Sequence, residues 1–215
     1  VQVGVIIRAL ARFFAAVIAT TGALLIVDAA LTIAWQEPIS ALIAQNQQGA
    51  LAQQLSDAKA DPPPPTCNTQ LPPQPAEATQ YAGGLHTGDP VGHIELPTLG
   101  RSYVFVQGTD EGSLQKGPGH YPQTPLPGQP GTTAIAGHRT TFLAPFRTID
   151  QLRSGDTIVI RMPYGCFTYK VERSVVVNPD ALWVTNPVGY DRLVLSACNP
   201  LYSASQRIIV FARRV

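Results

Sequence analysis

The stretch FFAAVIATTGALLIVDAALTIAW, residues 13–35, carries a single charge, and it limits where the rest of the chain can be. As a helix rising 1.5 Å per residue it would reach roughly 35 Å, enough for the ~30 Å hydrocarbon core of a bilayer. Arg8 and Arg12 precede it and Glu37 follows it. By the positive-inside rule the N-terminus is expected in the cytoplasm and everything after the span outside. A cleaved signal peptide would show an apolar region of about 7–15 residues ending at small residues, so an uncleaved anchor is the expected form. Asp28 is the unusual residue, since a carboxylate near a helix centre costs about 2.5–3.5 kcal/mol on insertion scales. The first residue is valine, which leaves room for residues before it.

The segment that follows, QEPISALIAQNQQGALAQQLSDAKA, has Ile39, Leu42, Ile43, Leu51 and Leu55 at roughly helical spacing. Pro38 suits a first turn and Gly49 is a weak point. Residues 37–60 are therefore expected to form an amphipathic helical stalk beyond the membrane segment of residues 1–36. Residues 61–81 open with DPPPPTCNTQLPPQPAEATQ, which favours an extended, semi-rigid spacer over a core.

From residue 82 to residue 215 the pattern is short β-type runs divided by glycine and proline. HIELPTL, SYVFVQG, TTAIAGH, DTIVIRM, CFTYKVERSVVV, RLVLSAC and RIIVFARR make up the series; APFRTIDQLRSG and DEGSLQ read as helical. Seven or eight strands in one segment without an internal repeat predict a closed or nearly closed β-barrel, or a sandwich. Charged residues are only 13% of the chain and the net charge is +1, which gives no basis for nucleic-acid binding.

Three residues could carry chemistry. Cys198 ends the run RLVLSAC, His138 ends TTAIAGH after Gly137, and Arg207 begins the last run nine residues beyond the cysteine. A thiol with pKa near ~8.5 needs a neighbouring histidine or cation to become a nucleophile. Histidine can protonate a leaving amine, and arginine offers fixed donors to a tetrahedral oxyanion. The same residues would equally suit a small buried cysteine, a satisfied strand-end histidine and a surface charge, and spacing alone leaves both readings open.

The motifs go further. KGPGHYPQTPLPGQPGTTAIAGHRTTFLAPF resembles the long segment that holds the catalytic histidine of class E sortases. LVLSAC stands where sortases have TLxTC, and CNPLYSASQRIIVFA has their Cys-to-Arg spacing. Over residues 82–215 the chain is thus similar to the sortases, membrane-anchored cysteine transpeptidases of Gram-positive bacteria, and most like the class E enzymes of actinobacteria. The resemblance implies an all-β sortase-type closed β-barrel of about eight strands with short helices, preceded by one N-terminal transmembrane helix. It implies His138, Cys198 and Arg207 as the catalytic set, with no cofactor and no metal. It also implies the activity: cleavage of an LAxTG or LPxTG sorting signal between Thr and Gly, and transfer of the sorted surface protein to a peptidoglycan amine. An exported cysteine protease that hydrolyses the thioacyl intermediate, or a catalytically silent surface-binding module, are the alternatives.

Departures from the family pattern fall next to the nucleophile. Val194 and Ala197 replace the two threonines of TLxTC, and Asn199 stands in CNP where CHP is commoner. All three are expected near the substrate, and the resemblance suggests that Tyr121 contacts the second position of the signal. His120 is expected to hold the proline-rich loop, and His86 and His93 to lie at the surface. With Cys198 reserved for catalysis, Cys67 and Cys166 are possible disulfide partners in an oxidising compartment, or two free thiols.

Overall fold

The computed structural model describes residues 2–35, 38–57, 67 and 75–215. They fall into two compact units that divide after Ile39.

The first unit is the helix α1, Gln2–Trp35. Its apolar side chains are exposed all round, with Phe14 at 60% and Ile18 at 72%. A helix apolar on every face has no core of its own to pack into and suits lipid. Ile6–Leu31 is long and apolar enough to cross a membrane, with mean hydropathy 2.1. That stretch begins about two turns before the expected residue 13 and takes in Arg8 and Arg12. Thr20 turns its hydroxyl onto the carbonyls of Ala16 and Val17, both at 2.9 Å, so its polar group is satisfied within the helix.

The second unit is built on eight strands: β1 Pro90–Leu96, β2 Arg101–Gln107, β3 Gly119–His120, β4 Thr132–Ala136, β5 Thr157–Met162, β6 Gly165–Val177, β7 Arg192–Asn199 and β8 Gln206–Arg214. They close into a barrel in the order β1-β2-β3-β4-β7-β8-β6-β5, with β5 returning to β1. Two of the pairings, β2 with β3 and β4 with β7, are parallel.

Alternation along each strand sorts side chains between two faces. Leu193, Leu195 and Ala197 of β7 and Ile208, Val210 and Ala212 of β8 fill the interior with Ile94, Phe105, Ile135 and Phe167. Val194 of β7 and Ile209 and Phe211 of β8 form a second cluster outside the wall with Ala134 and Val184. Because both faces of these strands are covered, their sequences read as nearly continuous apolar runs.

Helix α2, Pro38–Asp57, is laid on the barrel from Ser40 onward. Leu51 and Leu55 pack on Val104 and Val106 of β2. The amide of Gln48 donates to the carbonyls of Val104 (2.8 Å) and Lys116 (2.7 Å) and accepts from the Val104 N–H (2.8 Å). Helix α3, Pro75–Gly83, forms where an extended spacer was expected. Proline at its first turn and Glu77 near its N-terminus favour a start there, Ala78 is buried, and the Tyr81 hydroxyl donates to the backbone of Pro90 and Val91. Of residues 61–74, Cys67 alone is described, and it is bonded to Cys166 of β6 with the Cα atoms 5.2 Å apart. DEGSLQ is the helix α4, Glu111–Lys116, capped by Asp110, whose carboxylate accepts from the Ser113 N–H.

The expected helix APFRTIDQLRSG is instead a series of turns with one short 3-10 segment, Ile149–Gln151. Its buried residues explain this. Phe146, Ile149 and Leu152 recur every three residues, the period of a 3-10 turn, and the amides of Ile149, Gln151 and Leu152 each bond three residues back.

His120 is 1% exposed. Its Nδ1 bonds Gln107 Oε1 at 2.8 Å, while Nε2 contacts Thr124 Oγ1 (3.1 Å) and the Pro125 carbonyl (3.3 Å), closing the loop that precedes β4. Burial pushes its pKa down to about 4. Above pH ~6.5 the ring is neutral whether the chain is folded or not. As pH falls from there the unfolded chain takes up a proton that the folded one refuses until about 4, so stability declines across this window, by about 3 kcal/mol in all. Thermal unfolding of His120→Gln between pH 7 and pH 4 should therefore be less acid-sensitive than that of the unmodified chain; parallel curves would contradict this.

Candidate active site

Strand register brings the three chemistry-bearing residues of the sequence to one level. In the antiparallel β7–β8 ladder Cys198 lies directly opposite Arg207. In the parallel β4–β7 ladder Ala136 pairs with Ser196, and the Gly137 N–H donates to the Ser196 carbonyl at 3.0 Å. Carrying the register two residues beyond Ala136 sets His138 level with Cys198. The order β4-β7-β8 puts the cysteine in the middle, between histidine and arginine, and alternation points Cys198 and Arg207 to the outer face of the barrel.

Cys198 is half-buried and is the free cysteine among the described residues. Arg207 is also half-buried; its Nη1 donates to the carbonyls of Ala204 and Gln206, both at 2.9 Å, which turns the guanidinium along the β7–β8 connection. His138 packs against Phe142 with ring centroids 5.4 Å apart. Its Nε2 is buried without a hydrogen-bond partner among the described residues. Burial holds its pKa below the ordinary value, opposed by Glu111, so the neutral ring predominates at neutral pH. A neutral imidazole beside a thiol can accept the thiol's proton.

The backbone around His138 is tightly constrained. A Cβ on Gly137 would stand 2.6 Å from the Phe146 ring, so only glycine admits this approach. The Phe146 N–H donates to the His138 carbonyl at 3.0 Å. Between them Phe142, Leu143 and Ala144 all have positive φ, at 49°, 65° and 42°. Three non-glycine residues in the left-handed region cost about 1–2 kcal/mol each. Burial of Ala144 and Phe146, with the Ala144 N–H bonded to the Thr141 carbonyl, offsets that strain.

A cavity of about 700 Å³ runs along the outer face and reaches Arg207. Tyr121 and Val194 line it, as does Ser196, two residues before Cys198 on the same face of β7; Cys198 and His138 themselves are not in the lining. Ala197 is placed on the other side: it is 3% exposed in the barrel interior, because neighbours along a strand point to opposite faces. Asn199 is not part of the lining, and its side chain accepts from Arg139 and donates to Gln206.

Sequence reading did not single out Arg139 or Ser196. The parity of Ser196 with Cys198 was a usable signal; for Arg139 there was none, since its partners are distant in the chain. Among the described residues no group of three or more His, Cys, Asp or Glu is arranged to hold a metal ion.

Comparison with known proteins gives the family context. The family model "Sortase domain" matches residues 94–215. Sortase D of Bacillus subtilis is 32% identical over 60% of this chain and 66% of its own length. Sortase SrtE1 of Streptomyces coelicolor is 29% identical over 65% of this chain and 44% of its own length, so the match spans under two thirds of each of these relatives. The structure of sortase E from Streptomyces avermitilis is similar with TM-score 0.56 at 33% identity, covering 60% of this chain and 90% of that one.

Proposed function

The chain belongs to the sortase family, whose members are cysteine transpeptidases, and on that premise we propose that it cleaves a C-terminal sorting signal between Thr and Gly and transfers the protein to a cell-wall amine. The observation that carries this reading is the register that sets Cys198 of β7 opposite Arg207 of β8 and level with His138 just past the end of β4, where Arg207 lines the end of the cavity. Cys198 Sγ attacks the threonine carbonyl carbon as His138 takes the thiol proton. Nε and Nη2 of Arg207 are the donors available to the oxyanion, since its backbone bonds use Nη1. The C–N bond breaks, His138 returns the proton to the leaving amine, and a thioester remains on Cys198. An acceptor amine then attacks the thioester and gives its proton to His138. The C–S bond breaks and the thiolate is reprotonated.

Tyr121, in the cavity wall and packed over the buried cluster that holds Val194, is the residue we assign to the second position of the signal. With SrtE1 and sortase E among the relatives, LAxTG is the preferred form in this reading and class E the assignment. The helix α1 anchors the enzyme in the membrane with its N-terminus cytoplasmic, and the barrel acts outside on surface proteins and peptidoglycan precursor. Residues 37–60 and 61–81 connect the anchor of residues 1–36 to the catalytic segment 82–215.

The test uses the full chain in detergent micelles with fluorogenic LAxTG and LPxTG peptides, with and without an amine acceptor. A ligated product that appears only with acceptor is expected, together with roughly tenfold preference for alanine, the scale of a small apolar difference in a pocket. Products of water addition alone would make the enzyme an exported protease instead. No cleavage, with an inert Cys198, would leave a surface-binding module.

A further inference from the structure

Arg139 follows His138 directly, and its side chain is 3% exposed. A buried guanidinium must have its donors occupied and its charge paired. Nε and Nη2 both donate to the Arg147 carbonyl, at 3.2 and 3.1 Å, and Nη2 lies 3.0 Å from Asp150 Oδ2. Nη1 donates to Asn199 Oδ1 at 3.0 Å and, at 3.5 Å, to the carbonyl of Cys198 itself.

These partners belong to two different walls of the site. Arg147 and Asp150 lie in the turns that fold back over His138, where the Phe146 N–H holds the His138 carbonyl. Cys198 and Asn199 are the end of β7. The ladder between β4 and β7 stops at Ala136 and Ser196, with one further bond from Gly137, so beyond that point ladder pairing no longer joins the two walls. The Arg139 guanidinium, rigid and planar, spans the gap next to Cys198; farther out, Arg147 Nη2 also donates to the Tyr202 hydroxyl of the β7–β8 connection, at 3.1 Å.

We propose that Arg139 is a positioning residue for the transfer reaction: its guanidinium locks the turn carrying His138 to the strand end carrying Cys198, and so fixes the distance between base and nucleophile. Asn199 is its acceptor on the cysteine side. Asparagine at this position therefore serves the nucleophile's placement, not the substrate. A lysine could carry the charge but not the fork, because one compact ammonium cannot meet Arg147, Asp150 and Asn199 together. This inference rests on the reading of Cys198 and His138 given above.

Steady-state kinetics of the full chain, with whichever of the LAxTG and LPxTG peptides it cleaves, test it through Arg139→Lys and Asn199→Ala. Misplacing a reacting group by about 1 Å can lower the rate by ~10²-fold, so kcat of Arg139→Lys should fall on that order while KM stays within about twofold. Asn199→Ala removes the shorter of the two bonds on the cysteine side, with the weak Asn199–Gln206 contact, and leaves the 3.5 Å bond to the Cys198 carbonyl; its kcat should fall roughly tenfold with a melting temperature close to that of the unmodified chain. This variant decides the question if Arg139→Lys does not fold. An unchanged kcat in folded variants, or a loss confined to KM, overturns the positioning role while leaving the transfer reaction in place. An unmodified chain that cleaves neither peptide overturns the reading of the site and this inference with it.

Discussion

Replacing Cys198 with alanine should reduce peptide cleavage by at least ~10³-fold, to the background of the assay, because no second nucleophile can substitute for the thiol. Cys198 is the free cysteine among the described residues, so alkylation with iodoacetamide should label one site and abolish activity in step with labelling. Arg207→Lys should lose ~10²–10³-fold in kcat, the range seen when one oxyanion donor is removed. The reason is geometric: the arginine holds its place through Nη1 on Ala204 and Gln206 and still has donors to offer, whereas a lysine must use its single ammonium for both tasks. A Cys198→Ala chain that cleaves as fast as the unmodified one would remove the cysteine from the mechanism altogether.

Loss of the Cys67–Cys166 bond should produce the largest change in stability. The bridge joins residues 99 apart, and in the chain-entropy model closing a loop of that size stabilises the fold by about 4–5 kcal/mol. For a unit of this size that corresponds to a melting temperature lower by on the order of 10 °C or more. Thermal unfolding of the Cys67→Ser/Cys166→Ser chain, compared with the unmodified chain with and without reductant, measures it. The expected pattern is that reductant lowers the unmodified chain to the level of the double variant. A melting temperature unmoved by either treatment would mean that the bridge constrains little in the unfolded chain. Disulfides persist in oxidising surroundings, which agrees with the proposed position outside the membrane.

The β-type runs of the sequence correspond closely to seven of the eight strands, since each is apolar where the wall is covered and bounded by glycine, proline or polar residues. The missing strand, β3, is two residues long, too short for any periodic signal. Helix α3 was hidden by the prolines around it; Pro75 starts a helix as readily as it ends one, and what holds α3 is Tyr81 reaching the backbone of β1. The turns after Pro145 imitate a helix because a spacing of three is close to 3.6. Within the site, the level arrangement of Cys198 and Arg207 follows from ladder register, which a spacing of nine suggests without establishing. The side of the wall that each neighbour faces was legible from parity alone: Val194 and Ser196 share the face of Cys198, and Ala197 does not. Arg139 could not be found this way, because its value lies in partners 8, 59 and 60 residues away.

The eight strands close without an edge, and this bears on how an extended tail can be read. An open sheet offers unpaired amides and carbonyls along its margin, where almost any peptide can add as another strand with little regard for its side chains. A closed wall withholds that generic adhesion. In the proposed reaction, a signal peptide lying along the outer face of β4, β7 and β8 is held by the side chains it meets there, and discrimination between signals would rest on the shape of cavity residues such as Tyr121 and not on strand pairing.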